Sequence, residues 1–239
     1  MTLIDLLKDL TYGELAQLKI GELIPGEHQS EPDPTRYEQL ISHVNLGLKE
    51  IYKRFFLLSR EIYIELHEEI AIYMLDSRFA VTNTASIEDP KYIIDTVAAP
   101  FVDDVLKIEE VYDEAGNKLP MNDVTEPLSV YTPSYRTIQV PFPNDNITYS
   151  VQYRATHPKL IYTLDIDPST VDIALPNSLH EALLYYVASR AFSSLDGDGG
   201  ILGNQYFTRF ENSVNNVDNL GLEVQAEPGD WRFDNHGWV

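Results

Sequence analysis

The chain has 239 residues, 44% of them hydrophobic, and its 15 Tyr and 9 Phe supply enough apolar bulk for one or two cores. It contains no cysteine, which excludes disulfides, thiolate metal ligands and cysteine nucleophiles and suits synthesis in a reducing cytoplasm. Seventeen Lys and Arg stand against 38 Asp and Glu, a net charge of −21. Such a surface repels phosphate and disfavours ordinary nucleic-acid binding. It reads either as plain solvation or as a wall past which DNA slides without sticking.

The N-terminal run MTLIDLLKDL is interrupted by Asp5, Lys8 and Asp9, unlike the apolar core of a signal peptide. No stretch approaches the roughly 18 consecutive apolar residues of a membrane span, so a soluble chain is expected. Residues 1–20 read as one or two short helices, with capping-box spacing at Thr11 and Glu14. Residues 21–32, rich in Pro and Gly, form a connector. Asp33-Pro34 then opens a strong helix to about Leu57, because Asp caps well and Pro is tolerated at the first helical position. Its apolar stripe is Tyr37, Leu40, Ile41, Val44, Leu48, Ile51, Tyr52 and Phe55. Gly47 inside it costs about 1 kcal/mol against Ala, which predicts a close crossing with a later helix.

From Ser59 the period becomes two: Ile62, Ile64 and Leu66 alternate with Glu61, Tyr63 and Glu65, as in a half-buried strand. Further strands are expected at 70–75, 105–112, 128–131, 136–140 and 147–154. The turn Asp113–Asn117 is expected to join 105–112 to 118–121, and Pro143–Asn146 to join the last two strands as a hairpin. Residues 77–100 and 155–174 read as loops with short strands.

A second helix follows at 177–193, capped by Asn177 or Ser178, with Leu179, Ala182, Leu183, Tyr186, Val187 and Ala191 on one face. After the Asp196–Gly200 break comes a more polar helix. Neither stripe can be buried alone, and the simplest solution packs 34–57 on 177–193, with Leu40, Val44, Ile51, Leu179, Leu183, Tyr186 and Val187 as the shared core. The predicted class is therefore α+β: a helical bundle from N- and C-terminal helices, an inserted antiparallel β domain, and an extended C-terminal tail. The expected division is 1–57, 58–174, 175–218 and 219–239.

After Asn219 periodicity stops. The ending holds both tryptophans, Trp231 and Trp238, with Phe233 and Val239, and is acidic. Large aromatics of this kind anchor interfaces. Three readings of the tail stand: docking on its own subunit, insertion into a neighbouring protein, or disorder.

Catalytic and metal signatures are weak. His28, His43, His67, His157, His180 and His236 are scattered, and His67-Glu68-Glu69 lacks the second histidine of a helical zinc site. Asp196-Gly-Asp-Gly-Gly200 opens like a calcium loop, but Gly200 and Phe207 stand where ligands are needed. Ser193-Ser194 follow a helix rather than the strand of a nucleophile elbow, and no phosphate-binding glycine loop occurs. No cofactor, metal or enzymatic activity is expected.

Two segments carry a family likeness. ALPNSLHEALLYYVASRAFS (174–193) has an ALP opening, an A-L-x-x-Y-V centre and an R-A-F exit. RYEQLISHVNLGLKEIY (36–52) carries an L-N-x-G-x-x-E-I-type element, here with Val44 in the first position. The chain thereby resembles head-to-tail adaptor (connector) proteins of tailed bacteriophages, especially short-tailed ones, over most of residues 34–215. It departs from their pattern at Asn177, where an acid is usual. The resemblance implies a structural virion protein at the head–tail junction, made in the host cytoplasm and away from membranes. It implies a ring of about twelve copies under the portal protein that extends the DNA channel without binding DNA specifically and docks the tail nozzle and fibres. The tail residues Trp231, Phe233, Trp238 and Val239 would then contact the portal. The alternatives are a tail completion or terminator ring and a virion-associated wall hydrolase.

Overall fold

A computed structural model describes residues 1–18, 34–161, 167–193 and 199–222. The chain divides into two compact units: residues 1–56 with 159–239, and residues 57–158. The first is helical and the second is built of antiparallel sheets, an α+β composition.

In the helical unit, α1 spans Leu3–Tyr12 and buries Leu3, Leu6, Leu7 and Leu10 at helical spacing. Its capping box is formed by Thr2 and Asp5, not by Thr11 and Glu14. The Asp5 amide donates to Thr2 Oγ1 at 3.3 Å, and the Thr2 amide donates to Asp5 Oδ2 at 3.2 Å. Thr11 lies inside the last turn, where its buried hydroxyl donates to the Leu7 carbonyl at 2.7 Å. Capping spacing recurs by chance, and the leucine stripe, which begins at Leu3, decides which instance starts the helix.

Helix α2 covers Pro34–Arg54. Leu40, Ile41, Val44, Leu48, Ile51, Tyr52 and Phe55 are buried as the stripe predicts; Asp33 and the Tyr37 side chain lie outside the described residues. A 3-10 turn at Asn177–Leu179 runs directly into α3, His180–Ser193. The helical run covers the expected 177–193, but because Asn177 is already helical the cap position falls on Pro176, which offers no side-chain acceptor there. Asn177 and Ser178 sit within the first turn rather than capping it. Ala182, Leu183, Tyr186, Val187, Ala188 and Phe192 are buried, while Ala191 is only partly covered.

Helix α4, Gly199–Asn219, lies along α3. Phe210 is fully buried and meets the Tyr186 ring edge-on at 5.1 Å, and Tyr206 stacks on Phe192 at 5.3 Å. The helix ends on a Schellman turn. Gly221 takes φ +59, the Leu222 amide donates to the Val217 carbonyl, and the Gly221 amide donates to that of Asp218.

Glycine at two positions permits the close approach of these helices. A Cβ on Gly47 of α2 would stand 2.7 Å from Leu183 Cδ1 and 2.9 Å from Tyr186 Cδ1, so the predicted crossing with the later helix is present. A Cβ on Gly203 of α4 would stand 2.2 Å from Ser193 Oγ and 3.0 Å from both the Ser189 carbonyl oxygen and the Ser193 nitrogen.

In the second unit, β1 (Ser59–Glu65), β3 (Ile93–Ile94), β4 (Val105–Tyr112) and β7 (Thr148–Ala155) form one antiparallel sheet in the order β3-β1-β7-β4. Strands β2 (Ile72–Met74), β5 (Tyr131–Ser134) and β6 (Thr137–Gln139) form a second, in the order β2-β6-β5. Ile62 pairs with Val151 and Val151 with Val111, while Tyr73 pairs with Ile138. All five are buried in one core shared by the two sheets.

Several strand expectations change. Pro143–Asn146 carries the chain from one sheet to the other instead of closing a hairpin, because β7 finds both its partners, β1 and β4, in the four-stranded sheet. The Asp113–Asn117 turn is present, with Gly116 at φ +78 and the Asp113 amide donating to the Asn117 carbonyl. Residues 118–121, however, make only isolated bridges. The strand expected at 128–131 lies at 131–134, at the sheet edge where Pro133 can be tolerated. His67 lies just beyond β1, its amide and carbonyl both bonded to the Tyr73 hydroxyl.

Candidate interaction surfaces

The adaptor-like element of α2 divides its labour among successive residues. Val44, Leu48 and Ile51 enter the core, Gly47 admits α3, and Asn45 turns outward to hold the returning chain. Asn45 Nδ2 donates to the Leu160 carbonyl at 2.9 Å, and the Leu160 amide donates to Asn45 Oδ1 at 2.8 Å. This two-bond clamp satisfies both backbone groups of Leu160 and places residues 159–161 beside α2. Two helical turns later, the Tyr52 hydroxyl donates to the Ala174 carbonyl, and burial pushes that phenol up to about 12.

The clamp creates a groove of about 420 Å3 between α2 and residues 159–161. Ile41 and Leu160 are buried in its floor, while Leu46 and Ile161 are 45% and 64% exposed. Lys49 and Lys159 flank it, with Glu38 also on its wall.

At the end of α2, Arg54 forms a bidentate pair with Glu211 of α4, at 2.7 and 2.8 Å, with its guanidinium 5.0 Å from the Phe210 ring centre. The Arg54 hydrogen bonds hold the Glu211 carboxyl below the usual carboxylate range. A depressed folded-state pKa stabilises the fold above the unfolded value and loses that effect as pH falls through the folded value. Both side chains are partly exposed, so solvent screens the pair. The expected result is a melting temperature for Glu211→Gln below that of the natural chain at pH 7, with the gap closing as pH falls well below about 4. A gap of constant size from pH 7 to pH 3 would show that the charge on Glu211 contributes nothing.

The second unit presents a different surface. Glu61, Tyr63, Thr148, Ser150 and Gln152 of β1 and β7 line a concavity of about 480 Å3 together with Tyr112, Asp113 and Glu114. The Ser150 hydroxyl donates to Glu61, and the Thr148 amide donates to Glu114 at 2.8 Å. Three carboxylates make this an acidic, polar face.

The seven residues expected in the shared core, Leu40, Val44, Ile51, Leu179, Leu183, Tyr186 and Val187, are all at most 5% exposed. Trp231, Phe233, Trp238 and Val239 lie outside the described residues, as do Ser194, Asp196 and Asp198. Among the described residues no group of three His, Asp or Glu is placed to hold a metal. His157 Nδ1 contacts the Pro158 carbonyl at 2.6 Å, and His180 Nε2 lies 3.3 Å from Asp9 Oδ2. The Ser193 hydroxyl donates to the Ser189 carbonyl at 2.6 Å. No described helix is long and apolar enough to cross a membrane. The α2 groove is the feature that sequence reasoning passed over. Leu46, an apolar residue outside the α2 stripe, was its one visible sign; Ile161 carried none.

The fold and these surfaces define an α+β protein of two units with open grooves, one apolar and lysine-flanked, the other acidic. A family model described as SU10 adaptor protein matches residues 10–231, and the chain belongs to that family. It is a phage adaptor, a structural component of the virion that acts through contacts with other virion proteins. No curated protein matches it.

Proposed function

We propose that this adaptor is a head-to-tail connector of a short-tailed phage. It assembles as a closed ring, of about twelve copies, beneath the portal at one capsid vertex, extends the DNA channel, and offers a platform to the tail nozzle and fibres. The observation that carries this reading is the family match over 10–231, which embraces both motif helices and the Gly47 crossing between them. A ring requires two different faces on each subunit, joined by a heterologous contact that closes by rotation. The apolar groove and the acidic concavity are chemically distinct surfaces of the kind such a subunit needs. A net charge of −21 also suits a channel wall, because negative walls recruit no phosphate from passing DNA.

In this reading Trp231, Phe233, Trp238 and Val239 contact the portal. Each aromatic can bury on the order of 150–250 Å2 in a partner groove. Electron microscopy of the protein mixed with its cognate portal tests the proposal. The expected image is a ring of adaptor density stacked coaxially on the portal. Binding to an isolated tail tube with none to the portal would instead identify a tail completion or terminator ring. A wall hydrolase would reveal itself by turnover of peptidoglycan that falls when one acid is neutralised.

A further inference from the structure

We infer that the groove between α2 and residues 159–161 is the docking site, within the same subunit, for the acidic aromatic segment 223–239. The site is built: the Asn45 clamp fixes one wall, Ile41 and Leu160 close the floor, and Leu46 and Ile161 leave apolar surface open to water. Lys49 and Lys159 stand beside that surface and make no ion pair among the described residues. In a chain where acids outnumber bases 38 to 17, two lysines without acid partners among the described residues, beside exposed apolar side chains, call for an acidic, apolar occupant.

The segment 223–239 has that chemistry. Glu223, Glu227, Asp230 and Asp234 stand against Arg232 alone, and Trp231, Phe233 and Trp238 supply the apolar part. Across Asp230-Trp-Arg-Phe-Asp234 the aromatic and charged residues alternate. An extended backbone therefore puts Trp231 and Phe233 on one side, toward the floor, and Asp230, Arg232 and Asp234 on the other. Two acids and a base match two lysines and Glu38 on the groove walls.

The Schellman turn ends α4 at Leu222, and Glu211 of α4 meets Arg54 at the C-terminal end of α2 at 2.7 Å. Eight extended residues from Leu222 to Asp230 span up to about 26 Å. A tether of this length holds the segment at millimolar effective concentration, so even weak groove affinity keeps it docked. Docking in the free subunit stands independently of portal binding; that the portal later draws the segment out rests on the proposed function. Release on that contact makes assembly sequential.

The full-length chain provides its own probe, because its only two tryptophans, Trp231 and Trp238, both lie in this segment. Their emission is expected to be blue-shifted relative to a synthetic peptide of residues 223–239, at every protein concentration. In a Lys49→Glu/Lys159→Glu chain it is expected to move to the peptide's position, with circular dichroism unchanged. Adding Asp230→Lys/Asp234→Lys to that chain is expected to restore the blue shift. Where the charge reversal disturbs the fold, Ile161→Asp at its exposed position is read in the same way. Natural-chain emission matching the free peptide overturns the inference. So does emission indifferent to these groove substitutions, or a blue shift that grows with protein concentration, which would mark docking on a second copy.

Discussion

A chain carrying Gly203→Val is expected to lose much of the stability of its helical unit. The first added carbon would stand 2.2 Å from Ser193 Oγ and 3.0 Å from two backbone atoms of α3, the Ser189 carbonyl oxygen and the Ser193 nitrogen. The Ser193 hydroxyl is itself committed to the Ser189 carbonyl, so turning it away breaks a hydrogen bond. Backbone atoms cannot step aside singly, and relief requires α4 to move off α3. That movement would disturb Phe210 against Tyr186 and Tyr206 against Phe192. Overpacking of this kind costs about 1–3 kcal/mol, and separating the aromatic pairs adds about 0.5–1.5 kcal/mol each. Val recovers little of the roughly 1 kcal/mol helical penalty of glycine. The net loss is about 2–5 kcal/mol, a fall in melting temperature of roughly 5–20 °C for a chain of this size. Thermal denaturation followed by circular dichroism measures it. An unchanged melting temperature would mean that α3 and α4 do not cross this closely.

Gly47→Ala meets a softer obstacle, the side-chain atoms Leu183 Cδ1 and Tyr186 Cδ1, and regains helix propensity. Its effect is expected to be much smaller, and the contrast isolates backbone from side-chain contact.

Ending the chain at Leu222 is expected to abolish most portal binding while leaving the fold intact. Leu222 is the right endpoint because the Schellman turn uses its amide and that of Gly221 to satisfy the last carbonyls of α4. The residues removed include Trp231, Phe233 and Trp238. Buried aromatic anchors contribute about 2 kcal/mol or more each when truncated, so two engaged anchors correspond to a loss of roughly 100- to 1,000-fold in affinity. Titration of the portal with natural and shortened chains, each checked by circular dichroism, measures the change. Equal affinity would remove the segment from the portal contact and leave the groove-docking inference to its own fluorescence test.

The elements whose signal is periodic were legible from the chain alone. The α2 stripe from Leu40 to Phe55, the α3 stripe from Leu179 to Val187, and the alternation of Ile62, Ile64 and Leu66 all identify faces that are buried. Gly47 was legible as a crossing because a glycine costs a helix stability unless something packs there. The turn at Asp113–Asn117 was legible because positive φ at Gly116 needs that residue type. Local signals with many equivalents misled: Thr11–Glu14 has capping spacing, yet Thr2–Asp5 caps, and Asn177 gave way to a helical run beginning behind Pro176.

Sequence alone specifies which residues turn inward, the sign of the surface, and the family-like spacing of the two motif helices. These depend on period and composition, which neighbours in sequence carry. Long-range packing alone settles that β6 and β7 belong to different sheets, that Gly203 abuts the α3 backbone, and that Asn45 grips Leu160, 115 positions further along the chain. Each of these rests on a partner far along the chain, and no local pattern specifies which partner that is. The groove arises in the same way: Leu46 and Lys49 from α2 and Lys159 and Ile161 from the returning chain become one surface only after the clamp has closed.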